Sequence, residues 1–210
     1  QEYILNNYTK ALSIETTKLN LDFILLNKIY ERLTNYYENE VKEKVDAYNL
    51  SIKLLNNAIL KFPKNGVPYK LRGDINEKRG RYLQAVNDYE NYIKHSLLKK
   101  NKEKNIAEAY YKIYKIYRYS LEDNDKALVN INKTIKIDSN GSQSDTYYSE
   151  RANLHANVFN NNEIALSDYT NAITFNQFPE NYYNRALFYK NNIGDYEKAL
   201  EDLNQAIDKE

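Results

Sequence analysis

Two stretches of the chain repeat each other at a fixed offset, and this limits the fold more than anything else in the sequence. Tyr148, Arg151, Ala152, Ala165, Leu166, Asp168, Ala172 and Ile173 recur 34 positions later as Tyr182, Arg185, Ala186, Ala199, Leu200, Asp202, Ala206 and Ile207. A unit of this length is one supersecondary element. It cannot bury its apolar face alone and must stack on a neighbour. Looser copies lie upstream. Ala85-Val86-Asn87-Asp88-Tyr89 reads like Ala165-Leu166-Ser167-Asp168-Tyr169. Ala127-Leu128 is followed by Ile131, Thr134 and Ile135, and Ser51-Ile52 by Leu55, Ala58, Ile59 and Phe62-Pro63. Ile4-Leu5, with Tyr8, Ala11 and Leu12, is the faintest copy. Equivalent positions 4, 51, 85, 127, 165 and 199 are separated by 47, 34, 42, 38 and 34 residues. The extra residues are expected in connections between helices.

Each unit reads as two helices. Tyr182, Ala186 and Tyr189 share one helical face, and Ala199, Leu200, Leu203, Ala206 and Ile207 form a second stripe. Between them Gly194 suits a left-handed C-cap and Asp195 an N-cap. Ala186 and Ala199 are small where two antiparallel helices must approach closely. Only 5 Gly and 3 Pro occur in 210 residues, which favours helix throughout.

These residues resemble the tetratricopeptide repeat: an aromatic, a small residue and Tyr on the first helix, Gly-Asp at the turn, and Ala, Leu or aromatic, and Ala on the second. Tyr69-Lys70-Leu71-Arg72-Gly73 with Gly80-Arg81-Tyr82, Ala85 and Tyr89 matches best. The resemblance implies an all-α fold, a right-handed α-solenoid of antiparallel helix pairs. It divides the chain into the second helix of a partial repeat (1–19), a divergent repeat with an insertion (20–65), a repeat with a basic insertion (66–106), and repeats at 107–144, 145–178 and 179–210, the last cut before a cap. Tyr114 stands where a small residue is usual, and Tyr92 and Thr134 where Ala is usual. Three later copies carry one extra residue before or at the turn. The copy at 20–65 contains a long polar stretch, Glu38 to Asp46.

Most chemistry is unsupported. The chain has no Cys, which removes thiolate nucleophiles, disulfides and zinc-thiolate sites. The two histidines do not form a spaced ligand pair, no Gly-rich phosphate loop is present, and no nucleophile–base constellation appears. No catalytic residue, cofactor or metal is therefore expected. His155 reads as packing and His95 as solvated surface. Asp88, Asp168 and Asp202 recur three residues after the small Ala, which suggests an exposed helix face or an inter-repeat contact. Most of the 22 Tyr fall at packing places such as Tyr69, Tyr89, Tyr148, Tyr169, Tyr182 and Tyr189.

With 30 basic and 29 acidic residues the net charge is +1, against a bulk electrostatic partner. Lys99-Lys100-Asn101-Lys102-Glu103-Lys104 is the strongest basic cluster. It reads as a solvated loop or helix end, and nucleic-acid binding through it is the least favoured function. No apolar run nears the ~20 residues that span a bilayer, so a soluble protein is expected, cytoplasmic or exported as a mature form. The chain lacks Met and starts at Gln1, consistent with a processed product or a piece of a longer protein.

Function follows from the resemblance. In tetratricopeptide folds the first helices line a concave groove that takes a peptide or a helix. The matching positions are Lys70, Asp74, Glu77 and Lys78; then Tyr111, Lys115, Arg118 and Tyr119; then Ser149, Asn153 and Asn157; and finally Tyr183, Leu187, Lys190 and Asn191. The family's carboxylate clamp is not reproduced, since Lys70 fits but Asp74 stands where Asn is needed. Tyr111, Lys115, Arg118 and Tyr119 suit a partner with acidic and aromatic features. The expected role is a protein–protein interaction scaffold that binds a protein or peptide segment. The alternative is self-assembly through uncapped repeat ends, where Leu200, Leu203 and Ile207 lie.

Overall fold

A computed structural model describes residues 44–96 and 103–209, together with Arg32. Every regular element among these residues is helical. The chain divides into two compact units, Gln1–Lys99 and Lys100–Glu210. The first unit holds α1 (Lys44–Lys61), α2 (Gly66–Lys78) and α3 (Tyr82–Ser96). The second holds α4 (Glu103–Lys115), α5 (Asn124–Ile137), α6 (Ser144–Asn157), α7 (Asn162–Phe175), α8 (Pro179–Phe188) and α9 (Tyr196–Ile207). The helix expected within residues 1–19, the first helix of the 20–65 copy and Lys99 to Lys102 lie outside the described residues. Helix α4 opens at Glu103, inside the stretch that the repeat pattern gives to the preceding unit.

The pairs α2–α3, α4–α5, α6–α7 and α8–α9 form antiparallel hairpins. Close approach at their centres rests on the small residues. Ala85, Ala127 and Ala165 are sealed from solvent and Ala199 nearly so, as are Ala152 and Ala186 on the facing helices. A Cβ added to Gly73 would lie 2.9 Å from the Tyr89 ring. The α6–α7 hairpin closes over Ala152, Ala156, Ala165 and Tyr169, with Phe188 of α8 completing the cluster. Ile173, Tyr182 and Ala206 make the next layer outward.

The turns share one construction. A left-handed residue stands five positions before each small Ala: Gly80 (φ 71°), Glu122 (φ 55°), Asn160 (φ 50°) and Gly194 (φ 79°). In the second unit an Asx cap follows it. Asp123, Asn161 and Asp195 accept the backbone N–H groups of Lys126, Ile164 and Lys198. The N–H of the residue after the left-handed one reaches the carbonyl three residues past the small position in all four hairpins. Arg81 donates to Asn76, Asp123 to Tyr117, Asn161 to His155 and Asp195 to Tyr189. The extra residue of the three later copies is taken up between these fixed points by wide i→i−5 bonds: Leu121 to Ile116, Phe159 to Leu154 and Gly194 to Tyr189. Two of these turns, Ile116–Ser120 and Tyr189–Ile193, are π-helical.

The recurrent acids lie elsewhere than on an exposed face. Asp88, Asp168 and Asp202 are buried, and each is gripped by an arginine of its own hairpin's first helix. Arg151 donates from Nε and an η-nitrogen to Asp168, both at 2.7 Å, and Arg185 does the same to Asp202 at 2.8 Å. The other η-nitrogen reaches back to the preceding helix: Arg72 to Asn56, Arg151 to Asn132 and Arg185 to Thr170. The contact with the neighbouring unit is thus made by the arginine, while the acid serves within its own hairpin. In α4–α5 the two positions are Ile113 and Asn130, both buried and neutral.

Candidate functional site

The second unit carries a groove of about 630 Å³ lined from α6, α8 and the turn after α4. Asp145, Thr146, Ser149, Glu150 and Asn153 form one wall, and these residues recur every three or four positions along one face of α6. Phe178, Glu180, Asn181 and Asn184 form the opposite wall, and Tyr119 reaches in from the π-helical turn.

Glu150 organises one end. Its Oε2 accepts the hydroxyls of Tyr119 (2.6 Å) and Tyr114 (2.9 Å), and its Oε1 lies 3.5 Å from that of Tyr111. Tyr111 stacks on Tyr114 and tilts against Tyr147. Burial, together with the Glu150 charge, holds the Tyr111 and Tyr114 hydroxyls above their ordinary pKa. For Tyr119, burial and the Glu150 hydrogen bond push it up to about 12. Tyr114 replaces the usual small residue, and here the larger ring acts as a brace for a carboxylate.

The middle of the groove is a polar seam. Ser149 donates to Asn181, whose own amide donates to the Asn176 carbonyl (2.8 Å) and, at 3.5 Å, to Asp145. Asn153 accepts from Tyr169 at 3.0 Å and from Asn157 at 3.4 Å. The Asn184 side chain makes no hydrogen bond among the described residues, and the Asn153 amide group donates none.

The expected groove residues therefore scatter. Tyr119, Ser149 and Asn153 line the groove. Lys115 and Arg118 do not. The Lys115 ammonium sits 5.1 Å from the centre of the Tyr111 ring, and Arg118 donates to Asn124 at 2.7 Å. Tyr111 backs the groove and is half-buried. Asn157, Lys190 and Asn191 are exposed outside it, and Leu187 is half-buried. Tyr183 belongs to a second, apolar groove with Pro179, Glu180, Leu203, Ala206 and Ile207. In the first unit, Tyr89 directs its hydroxyl between Asp74 and Glu77, Lys70 lies 3.9 Å from Asp74, and Lys78 is exposed. Repeat alignment gave no sign of Asp145, Glu150, Glu180 or Asn184, since none keeps its residue type through the copies; Glu150 and Asn184 are themselves equivalents, 34 positions apart.

Each histidine packs against an aromatic ring. His155 is buried beside Phe159, with Nδ1 unpaired and its pKa lowered by burial. His95 is half-buried and stacked on Tyr69, not simply solvated. Among the described residues no group of three or more His, Asp or Glu is placed to hold a metal ion, and no helix is long and apolar enough to cross a membrane.

Solved structures with the same hairpin arrangement extend over nearly the whole chain. BtubC (BKLC) from P. vanneervenii superposes with a TM-score of 0.70 at 15% identity, covering 99% of this chain and 89% of its own. YrrB, described as a TPR protein with an unusual peptide-binding site, superposes at 0.67 and 18% identity, covering 97% and 92%. The chain has the tetratricopeptide-repeat fold. MamA shares it as well, at a TM-score of 0.67 and 15% identity over 87% of this chain and 91% of its own. No family model matches the sequence. No curated protein matches it either. At these identities the likeness speaks for the tetratricopeptide fold alone.

Proposed function

We propose that this tetratricopeptide array is a protein-interaction module and that its second unit binds an extended polypeptide segment in the α6–α8 groove. The observation that carries the reading is the unused hydrogen-bonding capacity of two amides there, the donor group of Asn153 and the whole side-chain amide of Asn184. An asparagine side chain offers a donor and an acceptor in the geometry of a peptide unit, so it can pair with a backbone whatever its sequence. The wall is already ordered by internal hydrogen bonds, which lowers the entropic cost of capture. A related fold, YrrB, is described as having a peptide-binding site.

Selection of 12-residue peptides by the full chain from a random phage-displayed library tests this. Groove ligands should lose binding on Thr146→Trp, which fills the groove from an exposed position, and weaken by about 1 kcal/mol on Asn184→Ala. Ligands indifferent to both substitutions would rule the groove out.

A second reading has its own support. Tyr196, Leu200 and Ile207 on α9 are each at least 60% exposed, next to the apolar groove of Tyr183 and Leu203. Such a face favours self-association. Sedimentation velocity over a concentration series should then show oligomers that Leu200→Glu removes; a monomer throughout rejects it.

A further inference from the structure

The charged side chains that line the α6–α8 groove have one sign. Three carboxylates line it, Asp145, Glu150 and Glu180, and no Lys or Arg does. Across the whole chain the two signs nearly cancel, 30 against 29, so this is a local segregation. The cations that repeat alignment assigns nearby are held at its margin: Lys115 lies over the Tyr111 ring, and Arg118 donates to Asn124 with its guanidinium 5.8 Å from the centre of the Tyr119 ring.

Each carboxylate keeps capacity for a donor. Two tyrosine hydroxyls converge on Oε2 of Glu150, while Oε1 has only the 3.5 Å approach of Tyr111. The bracing rings fix where that oxygen points. Asp145 is 8% exposed, yet its one hydrogen bond is the 3.5 Å contact from Asn181. A buried carboxylate ordinarily accepts more than that. Glu180 is exposed and has no hydrogen bond or ion pair among the described residues. Between them Phe178, 54% exposed, offers a ring face for an aliphatic stem or a flat guanidinium, while the Tyr119 ring, 59% exposed, already has the Arg118 guanidinium 5.8 Å from its centre.

We propose that the groove selects a segment bearing arginine or lysine, whose cationic end seats against Glu150 and Asp145 while Glu180 closes the rim. This rests on the peptide-binding reading above and gives the partner its chemistry. It reverses the acidic partner that Lys115 and Arg118 suggest from sequence. An acidic segment would bring like charge into a partly desolvated wall and is disfavoured. The charged hydrogen bonds to an ordered carboxylate correspond to a tenfold or greater effect on affinity.

The test uses the full chain and the peptides selected as above, counting as groove ligands only those that Thr146→Trp abolishes. They should be enriched in Arg or Lys at one shared position, and their Kd should rise at least tenfold on Glu150→Gln and on Glu180→Lys. Glu150→Gln keeps an acceptor for the tyrosines. Glu180→Lys alters an exposed side chain, so it decides the matter if the first variant is misfolded by circular dichroism. Affinity should also fall between 50 and 300 mM salt. Groove ligands without a basic residue, or basic ones unmoved by Glu180→Lys, overturn this inference and leave peptide binding intact. A library that yields no groove ligand overturns both.

Discussion

Replacing Arg151 with isoleucine should destabilise the second unit by about 3 kcal/mol, and adding Asp168→Asn should restore most of the loss. Asp168 is 1% exposed, and its carboxylate takes both of its short hydrogen bonds from the Arg151 fork. Removing one partner of such a pair leaves a buried charge uncompensated, at a cost of about 3–5 kcal/mol. The arginine side chain is 20% exposed, which puts the expected value at the lower end. Asp168→Asn alone should cost about 1–2 kcal/mol, because the stranded guanidinium can turn to water. The double variant copies what α4–α5 already does with Ile113 and Asn130, so it should cost only about 1 kcal/mol. The coupling between the sites is then about 3 kcal/mol. Urea unfolding followed by helical ellipticity would resolve this, since at typical slopes 3 kcal/mol moves the midpoint by about 1 M or more. If the double variant is as unstable as the two losses added together, the charge-compensation argument is wrong.

Three further outcomes follow from the same geometry. Gly73→Ala should destabilise the first unit by about 1 kcal/mol in thermal unfolding despite alanine's better helix propensity, because its Cβ meets the sealed Tyr89 ring; a gain in Tm would contradict the packing. At Gly194, which meets nothing with an added Cβ but holds φ 79°, asparagine should be tolerated within about 1 kcal/mol and valine should cost clearly more, as Asn160 occupies the equivalent place; equal midpoints for the two would refute this. His155 is held below its ordinary pKa by burial and by Arg151, with Asp168 acting against them. The unfolded chain therefore binds a proton first, so stability is full above about pH 6.5 and falls as the pH drops toward the folded value. His155→Leu should flatten that part of the Tm profile, and an unchanged slope would place the titration elsewhere.

The hairpins were legible because a 34-residue identity and its small residues carry steric information directly: Ala152, Ala165, Ala186 and Ala199 are all buried at helix contacts. The burial of Asp88, Asp168 and Asp202 was not, because a repeated acid reads the same on a wet face as in a core. The signal was nonetheless in the chain, as Arg151 and Arg185 each precede their acid by 17 positions. The groove was legible only at Tyr119, Ser149 and Asn153. Lys115 and Arg118 do not line it, because aligned positions fix only where a helix residue starts. They do not fix whether a long cation folds back onto its own neighbours. Glu150 gave no sign at all. Its role is created by three tyrosines, each more than 30 positions away in sequence.

The wide turns bear on how such a chain can change over time. Because one carbonyl near the end of the first helix always receives the residue before the second helix, a codon gained or lost between them is absorbed within the turn. The phase of the following helix, and every contact it makes, is left as it was. Single-residue length changes at 189–193 are therefore ones this lineage can try without rebuilding its seams, whereas at 116–120 they would also shift Tyr119 against Glu150.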